Sequence, residues 1–226
     1  MNLPNYITLS RIAAIPLIVW ILTTSYFSPG QLTLRVSLAS GLFILASITD
    51  GVDGYLARRR GQITTMGMLL DPLADKLMIA ALYITLVQLI PSIVSVWVAI
   101  VIVGREFLIS GLRSIAASEG FTIEASELGK FKMVIQIVSV VAAILALRWN
   151  EWVFGWLVIP VRLIAVMSIW FMVAVSLISA GDYFWGFWTK IDKRVERRRR
   201  RPSILSRRKK RALQQAADAE HPVKAH

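Results

Sequence analysis

The chain has 226 residues, of which 56% are hydrophobic, and its mean hydropathy is +0.60. This composition excludes an ordinary soluble domain and is typical of a polytopic helical membrane protein. The formal net charge is +12, cysteine is absent, and the only two histidines are His221 and His226, so cysteine nucleophiles, thiolate metal sites and histidine-based triads are excluded.

Apolar runs along the sequence predict six transmembrane helices in an all-α membrane fold. They lie near residues 7–28, 34–58, 67–90, 92–113, 127–148 and 161–187. The first run lacks a small-residue cleavage site after a basic region, so we interpret it as a retained span and not as a signal peptide. We expect residues 1–188 to form one membrane domain and residues 189–226 to form a basic, disordered cytoplasmic tail.

The positions of lysine and arginine predict the orientation of the spans. In a six-span arrangement, one side of the membrane receives the larger basic group, which comprises Arg11, Arg58–Arg60, Arg113, Lys130, Lys132 and the tail. The other side has Arg35, Arg148 and Arg162. Because cytoplasmic loops carry the excess of positive charge, we expect both termini to be cytoplasmic.

Four aspartates stand beside strongly apolar sequence at the cytoplasmic ends of spans 2 and 3. On a helix, Asp50 and Asp53 share one stripe and Asp71 and Asp75 share another, because residues three or four apart lie on one face. If the two helices pack antiparallel, the four carboxylates converge, and their repulsion requires about two divalent cations. Oxygen ligands without histidine or cysteine favour Mg²⁺, Mn²⁺ or Ca²⁺. Two such ions can clamp a phosphoryl group, so the pattern predicts a dinuclear site for phosphoryl transfer.

Small and basic residues on the same stripes have two interpretations each. Gly54, Ala57 and Gly67 would let a nucleotide approach the backbone, or would serve tight helix packing. Arg58 would bind a phosphate, or would extend its charged end to the membrane interface. The residues alone leave both alternatives open.

The spacing of these residues resembles the signature of a known family, the CDP-alcohol phosphatidyltransferases. The pattern D-x2-D-G-x2-A-R-x8-G-x3-D-x3-D is matched at every defined position, namely Asp50, Asp53, Gly54, Ala57, Arg58, Gly67, Asp71 and Asp75. The resemblance implies a six-helix membrane fold, a homodimer, and a dinuclear Mg²⁺ or Mn²⁺ site that binds the CDP part of a lipid donor. It also implies that Asp50, Asp53 and Asp71 are metal ligands. Asp75 is then the general base for the acceptor hydroxyl and also a metal contact.

Further matches between residues 4 and 132 resemble the branch of the family that makes phosphatidylglycerophosphate. They are Pro4-Asn5-x-x-Thr8-x-x-Arg11, Asp71-Pro72-x-Ala74-Asp75-Lys76, Gly104-Arg105-Glu106 and Gly129-Lys130-x-Lys132. This resemblance implies transfer of the phosphatidyl group from CDP-diacylglycerol to sn-glycerol 3-phosphate, with release of CMP. Asn5, Thr8 and Arg11 would share a helical face that contacts the nucleotide, or would form a capped helix start at the membrane interface.

A dianionic acceptor phosphate needs cations, and the cytoplasmic ends of spans 4 and 5 supply Arg105, Arg113, Lys130 and Lys132. Arginine binds phosphate oxygens bidentately, and lysine adds a point charge. The alternative is structural, because positive charges belong at these ends in any case and Glu106 shares a helical stripe with Arg113, with which it would form a salt bridge.

Other functions would also use carboxylates among membrane helices. The same chemistry with phosphatidylglycerol, inositol phosphate or serine as acceptor is the nearest alternative, although a lipid acceptor has less use for the basic cluster. A divalent-cation transporter would be expected to place carboxylates nearer the bilayer midplane and to contain internal repeats.

The segment Lys190–Arg211 holds 13 of the 26 lysines and arginines. We expect this tail to bind anionic membrane lipids or to act as a stop-transfer and topology signal, and not to bind nucleic acid, because a tethered segment meets the charged leaflet first. The location predicted for the chain is the bacterial cytoplasmic membrane, with the active site facing the cytoplasm.

Overall fold

A computed structural model of the chain describes the backbone of residues 3–27, 29–60, 65–121 and 128–200, and the side chains of residues 8–27, 30–49, 70, 72–121 and 132–192. Helices make up most of this structure. They are α1 (Leu3–Thr23), α2 (Leu32–Arg60), α3 (Thr65–Leu89), α4 (Val96–Ser118), α5 (Leu128–Ala146) and α6 (Val161–Arg200). Each predicted span overlaps one of these helices, and α6 continues well past the predicted end at residue 187.

Three helices in the described part of the chain are long and apolar enough to cross a membrane. Their apolar windows are Leu32–Thr49 in α2, Pro72–Leu89 in α3 and Val161–Asp192 in α6. Shorter apolar stretches occupy Thr8–Thr23 in α1 and Lys132–Ala146 in α5. Since the hydrocarbon core requires about 20 predominantly apolar residues per helix, the chain is a helical membrane protein.

Both ends of α4 are fixed by local sequence. The Ser95 hydroxyl accepts a hydrogen bond from the Val98 amide at 3.5 Å and so caps the first turn. At the other end Gly120 adopts φ 70°, a conformation that costs little only without a Cβ atom. The Phe121 amide then donates to the Ala116 carbonyl at 3.0 Å, which is the bond of a Schellman motif. These caps set the length of the helix that carries Arg105, Glu106 and Arg113.

A single apolar core joins the helices. Helix α1 packs against α2 and α3, α3 packs against α4 and α5, and α2 packs against α5. Each helix contributes a fully buried side chain to this core: Ile18, Phe43, Tyr83, Ile102, Ile144 and Ile169. Large apolar side chains such as Trp20, Ile84 and Trp170 are exposed instead, as expected for faces that contact lipid.

A short antiparallel hairpin lies between α5 and α6. Strand β1 (Trp152–Phe154) pairs with β2 (Leu157–Ile159), and Gly155 at φ 60° occupies the first position of the two-residue turn, as in a type II′ turn. The exposed Trp156 that follows is a side chain typical of membrane interfaces. The all-α prediction therefore holds for the helices but missed this hairpin.

Candidate acceptor and catalytic site

A cavity of about 270 Å³ is lined by polar and charged side chains of α3, α4, α5 and α6. It lies within the compact unit Met1–Tyr183. Its charged lining residues are Asp75, Lys76, Arg105, Glu106, Arg113 and Lys132. The structure thus brings the predicted base, Asp75, into one cavity with three of the four predicted acceptor-binding cations.

Arg105 is held rigidly at the wall of the cavity. One terminal nitrogen of its guanidinium donates to the Ser179 hydroxyl at 2.5 Å, and the other lies 3.3 Å from Oε1 of Glu106. The side chain is buried. Because a buried charge is costly unless it is paired and hydrogen-bonded, these two partners are what allow a cation at this depth.

Glu106 joins two cations from different helices. Its Oε1 atom accepts from Arg105 of the same helix and from Nζ of Lys132 on α5. The alternative in which Glu106 pairs with Arg113 is wrong for the described side chains, where the ion pairs of Glu106 are with Arg105 and Lys132. The carboxylate therefore offsets part of the charge of these two cations.

Arg113 has a different kind of partner. Its guanidinium donates a hydrogen bond to the Tyr183 hydroxyl, and its Cζ atom lies 5.0 Å from the centroid of the same ring. Tyr183 is buried, so its ring offers a fixed surface on which the guanidinium rests. Because a phenol is neutral, it orients Arg113 without cancelling its charge. Arg113 is therefore well suited to bind an anion in the cavity.

Asp75 and Lys76 reach the cavity from α3, and both are partly exposed. Asp75 is four residues after Asp71, so the two lie one turn apart on the same helix. The cavity therefore places one carboxylate, Asp75, among several cations.

Thr8 and Arg11, predicted for the donor site, are both buried in α1 and lie three residues apart. A buried guanidinium is not an interfacial anchor, so the burial of Arg11 argues against the alternative of a simple helix start at the membrane surface. Neither residue belongs to the lining of the cavity at Asp75.

The remaining predicted site residues lie outside the side chains that the structure describes. They are Asn5, Asp50, Asp53, Gly54, Ala57, Arg58, Gly67, Asp71 and Lys130. In the backbone, Asp50 and Asp53 stand three apart within α2, and Gly67 and Asp71 stand four apart within α3. Among the described side chains, no group of three or more acidic, histidine or cysteine residues is placed to hold a metal.

Several lining residues were not predicted as site residues, notably Lys76, Ser110, Gln136 and Tyr183. Weak signals for two of them exist in the sequence. Gln136 follows Lys132 by four residues on α5, and Tyr183 follows Ser179 by four residues on an otherwise apolar part of α6. Polar residues one turn apart on an apolar helix share a face, which indicates that the face meets a polar cavity.

Comparison with known proteins gives concordant results for sequence and fold. A family model described as CDP-alcohol phosphatidyltransferase matches residues 1–177. The CDP-diacylglycerol–glycerol-3-phosphate 3-phosphatidyltransferase of Bacillus subtilis (strain 168) is 39% identical over 193 residues, covering 83% of this chain and 95% of that protein. The protein of the same name from Rickettsia bellii is 38% identical over 183 residues, covering 81% and 93% respectively.

Among solved structures, the apo crystal structure of Mycobacterium tuberculosis phosphatidylinositol phosphate synthase is similar, with a TM-score of 0.59. The match covers 83% of this chain and 90% of that chain, at 17% sequence identity. At this level of identity the likeness shows a shared fold alone.

Proposed function

Because the chain belongs to the CDP-alcohol phosphatidyltransferase family, we propose that it transfers the phosphatidyl group of CDP-diacylglycerol to sn-glycerol 3-phosphate, giving phosphatidylglycerophosphate and CMP in phospholipid biosynthesis. The observation that carries the choice of acceptor is the cavity that holds Asp75 together with Arg105, Arg113 and Lys132. Its cations suit a dianionic phosphate, and its carboxylate suits the removal of a hydroxyl proton. The names of the Bacillus and Rickettsia relatives support the same acceptor.

In the proposed reaction, the cavity binds sn-glycerol 3-phosphate and orients it toward the lipid donor. Arg113 and Lys132 bind the phosphate, and Asp75 takes the proton from the 1-hydroxyl. The 1-oxygen forms a bond to the β-phosphorus, which carries diacylglycerol, and the bond from that phosphorus to the bridging oxygen breaks. CMP leaves with the electron pair of that bond. Holding the two reactants in one orientation supplies a large part of the rate enhancement.

A dinuclear Mg²⁺ or Mn²⁺ site belongs to the same proposal. The donor set fits hard divalent cations, since the family motif supplies carboxylate oxygens and the chain has no cysteine. Asp50, Asp53, Asp71 and Asp75 would hold the ions. When bound, the metals would neutralise charge on the pyrophosphate and on the departing CMP. The nucleotide part of the donor would be bound by Asn5, Thr8, Arg11, Gly54, Ala57, Arg58 and Gly67, and Lys130 would join the acceptor cations.

Removal of divalent metal is expected to abolish CMP release. Treatment with EDTA should reduce the rate to background, and excess Mg²⁺ or Mn²⁺ should restore it, because the proposed ligands are hard oxygen donors. The rate is measured in detergent before and after metal is added back, with helical content followed by circular dichroism. Full activity after chelation, in protein shown to be metal-free, would contradict the metal proposal.

The proposed arrangement in the cell has six spans and both termini in the cytoplasm, with the site at the cytoplasmic face of the bacterial inner membrane. The excess of basic residues on one side supports this orientation. Residues 1–188 would form the membrane domain and assemble as a homodimer. The tail, residues 189–226, would bind anionic lipids, because 14 of the 26 lysines and arginines lie in it.

The reaction itself is tested by CMP release from CDP-diacylglycerol with purified protein and Mg²⁺. We expect sn-glycerol 3-phosphate to stimulate release and phosphatidylglycerophosphate to appear, identified by mass spectrometry. Phosphatidylglycerol, inositol phosphate, serine and a reaction without acceptor are the comparisons. Stimulation by one of these compounds instead would change the acceptor assignment but keep the family chemistry. If folded protein releases no CMP with any acceptor, metal transport becomes the favoured function.

A further inference from the structure

Among the polar side chains of the cavity that have no role in the mechanism above, Gln136 is both buried and incompletely hydrogen-bonded. Gln136 of α5 lines the cavity, is only 7% exposed, and its Nε2 atom has no hydrogen-bond partner among the described residues. A buried amide nitrogen without a partner costs free energy, since it has lost water and gained nothing in exchange. Because the same side chain lines the cavity, a bound molecule is the candidate partner for its amide group.

The neighbours of Gln136 narrow the chemistry of that partner. Lys132 lies one turn away on the same face of α5, and Arg113 lines the same cavity, so a bound phosphate already has charged partners. Asp75 is assigned to the attacking hydroxyl. A neutral amide matches a neutral hydroxyl, and sn-glycerol 3-phosphate has one polar group not yet assigned, the 2-hydroxyl.

We propose that Gln136 binds the 2-hydroxyl of the acceptor and thereby selects a glycerol phosphate over an otherwise equal phosphate that lacks this group. The inference rests on the proposed function, because it assumes that sn-glycerol 3-phosphate occupies the cavity. The volume of about 270 Å³ is small for a ligand site, which favours a compact acceptor over a bulky one. The amide can present either its donor or its acceptor atom to the hydroxyl, so a single orientation is not required.

The test compares two acceptors that differ only in the 2-hydroxyl: sn-glycerol 3-phosphate and 3-hydroxypropyl phosphate. The unmodified protein should prefer the glycerol compound by about tenfold in kcat/KM, the effect of one well-placed neutral hydrogen bond. Gln136→Met keeps the length of the side chain and removes both polar atoms. In this variant the preference should fall to about one, through a lower kcat/KM for sn-glycerol 3-phosphate alone.

Each other result overturns the inference. Equal losses of kcat/KM on both acceptors would show that Gln136 has a structural role. An unchanged preference in Gln136→Met would show that another residue binds the 2-hydroxyl. If the unmodified protein shows no preference, the proposed contact between Gln136 and the 2-hydroxyl does not exist. Gln136→Leu repeats the test if the methionine variant does not fold, and Gln88→Met, at an exposed position on α3, is the matched control. Failure of the proposed function is distinguishable, because the unmodified protein would then not respond to sn-glycerol 3-phosphate at all.

Discussion

Asp75→Asn is expected to reduce acceptor-dependent CMP release by about 10²- to 10⁴-fold, the usual contribution of a positioned general base. The substitution keeps the shape of the side chain and removes its ability to take the proton of the attacking hydroxyl. Since Asp75 is partly exposed at the cavity, the loss of its charge should not unfold the protein. The measurement is the initial rate with saturating sn-glycerol 3-phosphate, accompanied by size-exclusion chromatography in detergent.

The two roles proposed for Asp75, base and metal contact, predict different metal dependence. If proton transfer dominates, the maximal rate falls while the Mg²⁺ concentration for half-activation stays the same. If metal binding dominates, that concentration rises and excess Mg²⁺ restores much of the rate. Glu151→Gln is the control, because it removes one exposed carboxylate outside the cavity lining and should leave the rate unchanged. Near-full activity of Asp75→Asn would refute the base assignment.

The helices were predictable because their cause is local in sequence. A run of about 20 apolar residues must satisfy its backbone hydrogen bonds internally when it enters a membrane, and a helix does this. Such runs are visible in the sequence itself. The hairpin of β1 and β2 was not predictable on the same grounds. Its strands have three residues each, too few to show the alternation of apolar and polar residues that is typical of a strand. The turn residue Gly155 stands between apolar residues that are equally typical of a membrane helix.

The grouping of Asp75 with the cations of α4 and α5 was predicted, whereas the partners of the individual cations were not. A stripe on one helix suggested that Glu106 pairs with Arg113, but seven residues along a helix correspond to a rise of about 10.5 Å. Lys132 approaches Glu106 from a neighbouring helix instead, 26 positions later in the chain. Contacts between helices depend on how the helices pack, and a single sequence does not show this.

Tyr183 illustrates the same limit. It contacts Arg113 across 70 positions of sequence, from a helix that by composition is simply an apolar span. The four-residue spacing from Ser179 marks a polar face on α6, but only the packing against α4 shows that this face meets two arginines. Most charged residues of the cavity, although not Lys76, were therefore predictable from the sequence, whereas the neutral residues that orient them were not.

Arg113→Ala is expected to raise the KM for sn-glycerol 3-phosphate by about 10- to 100-fold, as expected when a hydrogen-bonded partner of a charged group is removed. The kcat should change less, because the phosphate contact forms in the ground state as well as in the transition state. Arg113→Lys should give an intermediate KM, since lysine keeps the charge but loses the bidentate geometry. Steady-state kinetics at varied acceptor and fixed CDP-diacylglycerol measure both constants.

The contact with Tyr183 provides a second, finer test of the same assignment. Tyr183→Phe keeps the ring beneath the guanidinium and removes only the hydroxyl that accepts from Arg113, so the KM should rise by a few-fold, about the effect of one hydrogen bond. In Arg113→Ala the same tyrosine substitution should add nothing, because its partner is already gone. Arg148→Ala, which removes an exposed arginine outside the cavity lining, is the control for charge. Unchanged acceptor kinetics in Arg113→Ala would exclude Arg113 from the phosphate site, and additive effects in the double variant would show that Tyr183 acts independently of it.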